Sequence, residues 1–133
     1  MQAVRDGATC PTRAPGFKSF PVTFETVRRL ALAFPAVEEG ISYGTPAFRV
    51  RGRFLARLRE DGEALVVKCG YEERDFRMQA DPKTFFVTDH YRGYPTVLVR
   101  LATVDPGDLR DVLEQAWRLH APKRLVAEYD RHP

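Results

Sequence analysis

Residues Phe54–Cys69 read FLARLREDGEALVVKC, and the way this stretch folds back on itself decides the architecture. Asp61-Gly62 is the strongest hairpin signal in the chain, the kind of pair that fills a two-residue type I′ turn. With the turn there, Glu60 faces Glu63, Leu58 faces Leu65, Ala56 faces Val67 and Phe54 faces Cys69. Side chains alternate between the faces of a strand, so the last three pairs share one apolar face. Turn chemistry and apolar pattern give the same register.

Just upstream, Tyr43–Arg59 reads YGTPAFRVRGRFLARLR, with arginine at 49, 51, 53, 57 and 59. A two-residue turn at Arg51-Gly52 would put Val50 on one face with Arg53, mixing core with charge. A three-residue loop, Arg51-Gly52-Arg53, pairs Val50 with Phe54 and Phe48 with Ala56, and Gly52 can supply the positive φ such loops need. The three-residue loop is therefore expected. Arg49 and Arg57 then project from the second face of the sheet beside Leu55, Val66 and Lys68, while Arg51 and Arg53 crown a hairpin tip. Val97, Val99 and Leu101 continue the core on a later strand, with Thr96, Leu98 and Arg100 facing away.

Helices flank these strands. Thr23 is placed as an N-cap, with Val22 and Val27 as a hydrophobic staple, and Phe24, Val27, Leu30, Ala31 and Phe34 follow at helical spacing until Pro35. Tyr71–Gln79 is a second helix. In the third, Asp105 caps, Pro106 takes the first position, Asp108 lies in the first turn, and Leu109, Val112, Leu113, Ala116, Trp117 and His120 line one face. Pro122 ends it, and a short helical tail follows over Leu125–Tyr129. Residues 1–21 lack apolar periodicity and read as a disordered or loosely docked extension, with a single domain over 22–133.

At 133 residues the chain is one domain by size. No apolar run approaches the ~20 residues of a membrane span, no segment has signal-peptide character, and a cytoplasmic location is expected. Cys10 and Cys69 are too few for a disulfide framework or a thiolate zinc site. The formal net charge is +3, but residues 1–20 hold Arg5, Arg13 and Lys18 against Asp6, so little of it belongs to the folded part. Any attraction for polyanions must come from how charge is distributed. The five arginines between Phe48 and Arg59 have no acid among them, whereas Asp105, Asp108, Asp111 and Glu114 make the third helix negative. A solvated strand face explains such alternation without any ligand.

Catalytic signatures are missing. His90, His120 and His132 have no metal-ligand spacing, no GxSxG, GxGxxG or Walker-type loop occurs, and the neighbouring Glu38 and Glu39 point to opposite faces of a strand. No enzymatic activity, metal or cofactor is expected. The loop Asp89-His90-Tyr91-Arg92-Gly93-Tyr94-Pro95 offers two tyrosines, an arginine and a histidine that could meet phosphates and exposed bases, or simply pack on the domain edge.

With these landmarks the chain resembles the MmcQ/YjbR family. The matching residues are Phe34-Pro35-Ala36-Val37-Glu38-Glu39, Tyr43-Gly44-Thr45-Pro46-Ala47-Phe48-Arg49-Val50, Val97-Leu98-Val99-Arg100-Leu101 and Ala121-Pro122-Lys123-Arg124-Leu125. Two departures are Thr96-Val97, where the family often has Trp-Val, and Ala116-Trp117, where Ser-Tyr is typical. The resemblance implies an α+β fold, an antiparallel sheet with helices packed on one face in a CyaY-like two-layer sandwich. It also implies DNA binding by a double-wing arrangement, with duplex DNA as partner. Carried over, the wings are the Arg51-Gly52-Arg53 tip and the His90-Tyr91-Arg92 loop, with Lys123 and Arg124 as further phosphate contacts. Arg49, Arg57 and Lys68 of the second sheet face complete the expected binding set. The rival reading is a protein-interaction or small-ligand adaptor that uses Leu55 and Val66 of the same face. A monomer is expected.

Overall fold

The computed structural model describes residues 22–131; the expected amino-terminal extension, with Cys10, lies outside the described residues, as does His132. Six antiparallel strands, β1 (Val37–Ser42), β2 (Thr45–Val50), β3 (Arg53–Leu58), β4 (Ala64–Lys68), β5 (Phe85–Phe86) and β6 (Thr96–Arg100), form one sheet in the order β1-β2-β3-β4-β6-β5. Four helices, α1 (Phe24–Leu32), α2 (Tyr71–Ala80), α3 (Pro106–His120) and α4 (Lys123–Arg131), accompany it. Phe24 and Val27 of α1, Met78 of α2, Trp117 of α3 and Tyr129 of α4 all join one core with Phe48, Val50, Leu65, Val67, Val97 and Val99 of the sheet. Helices on one face of an antiparallel sheet make the fold an α+β two-layer sandwich, as the register implied.

Local signals account for the helix ends. The Thr23 side chain accepts the Thr26 N–H at 3.4 Å, and the Asp105 carboxylate accepts the Gly107 N–H at 2.9 Å. Each satisfies a backbone donor that the first turn leaves without a partner. The tail after Pro122 is a full helix, Lys123–Arg131, longer than its apolar residues suggested.

The β3–β4 register is as expected, with Ala56 opposite Val67 and Leu58 opposite Leu65. The turn is not. Gly62 N–H donates to Arg59 C=O at 2.8 Å, so the tight turn centres on Glu60-Asp61, and Asp61 accepts the Glu63 N–H at 2.9 Å. Only Gly62 has positive φ there. A longer connection with the same centre leaves the pairing unchanged.

The β2–β3 hairpin reverses expectation more sharply. Its loop has two residues, with Arg51 at φ 50° and Gly52 at φ 82°, the positive pair of a type I′ turn. Val50 is paired with Arg53, and Arg49 with Phe54, but Phe48 with Ala56. Leu55 is the extra residue of a β-bulge, which resets the alternation. Arg53 thus shares a face with Val50 at no desolvation cost, because it lies exposed at the strand end. Phe54 moves to the second face, and Leu55, 3% exposed, enters the core. The expected pairing of Phe54 with Cys69 is absent, because the β3–β4 pairs stop at Ala56 and Val67 and β4 ends at Lys68. A further hairpin with positive φ at both turn residues, Tyr43 (54°) and Gly44 (80°), joins β1 to β2.

Candidate functional site

The second face of the sheet is covered over β4 and β6. Phe86, Val87 and Tyr91 pack on Ala64, Val66 and Leu98, so the segment after α2 folds across β4 and β6. It includes a short 3₁₀ turn, Asp89–Tyr91. Arg74 of α2 holds this segment in place: it is 7% exposed and donates to the carbonyls of Tyr94 (3.0 Å), Thr96 (3.3 Å) and Arg92 (3.3 Å). Tyr71 adds a bond from its hydroxyl to Gly93 C=O at 2.9 Å. An ordered loop otherwise costs conformational entropy at every use; here α2 bears that cost in the folded state.

Where the covering segment ends, the rest of the face opens as a groove of roughly 880 Å³. Its lining comes from four places. Ile41, Ser42 and Tyr43 form one end, Arg49, Phe54, Arg57 and Glu60 come from β2, β3 and the turn beyond, Val66, Lys68 and Thr96 from β4 and β6, and His90, Tyr91 and Tyr94 from the covering segment. Three cations face a single carboxylate. Four phenyl or phenol rings stand among them, and Tyr43 (84% exposed) and Tyr94 (57%) are left largely in water.

The cations differ in freedom. Arg57, 7% exposed, donates to Tyr91 Oη at 2.7 Å, Thr45 Oγ1 at 3.3 Å and its neighbour Leu58 C=O at 3.3 Å. Its guanidinium lies 3.5 Å from the Glu60 carboxylate and 5.3 Å from the Tyr43 ring centre. It ties the two walls together. Arg49 lies 6.0 Å from the ring of Phe54, the strand partner that the two-residue turn gives it. Arg49 and Lys68 make no ion pair with the described residues. Thr96, 5% exposed, lines the floor, and its hydroxyl oxygen has no hydrogen-bond partner.

Five of the ten expected site residues therefore converge: Arg49, Arg57, Lys68, His90 and Tyr91. Arg51 and Arg53 are exposed at the hairpin tip, Arg53 on its helix side, and Arg92 is exposed in the loop beside Asp89 at 3.1 Å. Lys123 and Arg124 belong elsewhere. They sit at the start of α4, whose Leu125, Val126 and Tyr129 pack into the helix-side core, so they do not share the groove. Leu55, which the adaptor reading needs at the surface, is in the core, and Val66 is 1% exposed beneath the covering segment. Sequence reasoning passed over Tyr43, Phe54, Thr96 and Arg74. Tyr43-Gly44 between alternating stretches was a usable turn signal for the first of them; a single buried arginine on a charged helix gave none for the last.

Reactive groups elsewhere are quiet. Burial, with Glu73 adding to it, pushes the Cys69 thiol up to about 11, which keeps it protonated and a poor nucleophile at neutral pH. Burial lowers the His120 pKa, with Lys68 and Arg53 acting in the same direction. No group of three or more His, Cys, Asp or Glu side chains among the described residues could hold a metal ion. No helix among them is long and apolar enough to cross a membrane.

The YjbR family model matches residues 32–119. Uncharacterized proteins of Mycobacterium bovis and Mycobacterium tuberculosis are 41% identical to the chain over 69 residues, which are 51% of this chain and 54% of each relative. The match thus spans about half the length of those curated relatives. A Deinococcus radiodurans protein, whose crystal structure carries the domain description DUF419, superposes with a TM-score of 0.66 at 22% identity, over 80% of this chain and 84% of that one. That likeness bears on the fold.

Proposed function

Because this chain belongs to the YjbR family, whose model matches residues 32–119, we propose that it is a DNA-binding module that acts by binding alone. The observation that carries this reading is the charge of the open sheet face. Arg49, Arg57 and Lys68 meet one acid, Glu60, in a groove flanked by aromatic rings. Of the expected wings, the His90-Tyr91-Arg92 loop contributes His90 and Tyr91 to the lining, while the Arg51-Gly52-Arg53 tip joins the strands that carry Arg49 and Phe54 and does not itself line the groove. Cations in such a place attract phosphate and release its counterions, whatever the sequence. Lys123 and Arg124 have no part in this surface. The adaptor reading loses its anchors, since Leu55 and Val66 are both buried.

DNA affinity should be modest, sequence-tolerant and steeply salt-dependent. The double variant Arg51→Glu/Arg53→Glu should bind more weakly and flatten the plot of log K against log salt by about one to two units, because each phosphate left without its cation removes about 0.9 from the slope. Both side chains are exposed, so thermal unfolding should be unchanged. Fluorescence anisotropy across a salt series checks this. Equal affinity and equal slope for the folded variant would make these arginines solubilising charge only.

A further inference from the structure

The groove has features that phosphate attraction does not require. Its volume, roughly 880 Å³, falls among sites for small organic ligands, about 300–1,000 Å³. Tyr43 and Tyr94 present large aromatic surfaces to water at its border. Bases within a duplex are stacked on each other and offer no free face to a ring; an unpaired base does. Arg49 and Lys68, without ion pairs among the described residues, are available to an anion, whereas Arg57 is already engaged. On the floor, the Thr96 hydroxyl is buried with no partner, a state that folded proteins seldom leave unexplained.

We propose that this groove receives one unpaired nucleotide of a DNA strand, with its base against the tyrosine rings, its phosphate toward Arg49 and Lys68, and a polar ring edge toward Thr96. This rests on the DNA-binding reading above and adds the strand state that the site selects. A strand fits better than a free nucleotide because Arg51, exposed on the hairpin tip two residues after Arg49, offers a further cation to a neighbouring phosphate. The rings give affinity without strong base preference, since every base has a π-face.

Two substitutions test the groove without touching the core. Tyr43→Gly removes a ring that is 84% exposed while keeping a residue at ease with φ 54°. Thr96→Val replaces the unpaired hydroxyl with a methyl group of similar size. The probes are a labelled oligothymidylate, a duplex of equal length, and thymidine monophosphate as competitor. The full chain should prefer the single strand, and Tyr43→Gly should weaken that binding roughly ten-fold, as expected when one base–aromatic stack is removed. Thr96→Val should weaken it several-fold, and both variants should leave duplex affinity nearly unchanged. Equal affinity for the two DNA forms, untouched by either variant, overturns the proposal but leaves DNA binding standing. Absence of binding to both forms overturns both readings. Displacement of the strand by the mononucleotide at matching concentrations overturns the choice of a strand over a free nucleotide.

Discussion

Trp117→Ala should lower the unfolding free energy by about 3–5 kcal/mol, the usual cost of removing a large buried aromatic and leaving a cavity. Trp117 is 0% exposed. Its ring centre lies 5.8 Å from that of Phe34 and 4.9 Å from that of Tyr129, so one side chain joins α3 to α4 and to the end of the α1 segment. Its indole N–H donates to Pro35 C=O at 2.9 Å. Loss of the ring also leaves that partly buried carbonyl without its donor, and a lost hydrogen bond costs about 0.5–1.5 kcal/mol. Against a total of ~5–15 kcal/mol for an ordinary domain, the variant should be marginal at best. Trp117→Phe separates the two causes, since it keeps most of the apolar volume and gives up only the hydrogen bond. Urea melts read both variants. A loss below about 1 kcal/mol for the alanine would place Trp117 at the periphery of the core.

Leu55→Asp should be more damaging still, and Phe54→Asp much less so, although the two residues are neighbours on one strand. The bulge decides this. Leu55, 3% exposed, stands in the core with Ala56, while Phe54 lies beside its strand partner Arg49 on the groove face. A carboxylate at 55 must be buried without a partner or protonated, and either outcome should exceed about 4 kcal/mol, the range reserved for the harshest single changes. At 54 the carboxylate is half in water and near a guanidinium, so a packing penalty of about 1–2 kcal/mol is expected. Circular dichroism melts distinguish them. The opposite ranking would restore the three-residue loop and put Phe54, not Leu55, in the core.

The same pair shows where the sequence was legible. Between Leu58 and Ala64 the five polar or turn-forming residues 59–63 fix the centre of the hairpin, so the pairing of Leu58 with Leu65 survives even though the tight turn itself lies one residue earlier. At Phe54-Leu55-Ala56 three apolar residues run together, and either parity satisfies the pattern. The deciding factor was backbone geometry: a type I′ turn matches strand twist, and a bulge after it costs little at a strand end. Segment 83–95 was harder. Its strand, Phe85–Phe86, is only two residues long, too short for periodicity. It is held by distant groups, with the Arg100 guanidinium 4.4 Å from the Phe86 ring and Arg74 on the carbonyls of Arg92, Tyr94 and Thr96. The basic alternation put Arg49, Arg57 and Lys68 on the second sheet face, where they line the groove. It could not separate an engaged arginine from an available one, nor reveal that Lys123 and Arg124 face a different layer.

Amide chemical shifts of isotope-labelled protein, followed by NMR as an oligothymidylate and, separately, a duplex of equal length are added, report where DNA sits on the protein. If the open sheet face binds DNA, the largest changes should cluster at Arg49, Phe54, Lys68, Thr96 and residues 89–94, with α4 silent. Changes centred on Lys123 and Arg124, or none at saturating DNA, would contradict it.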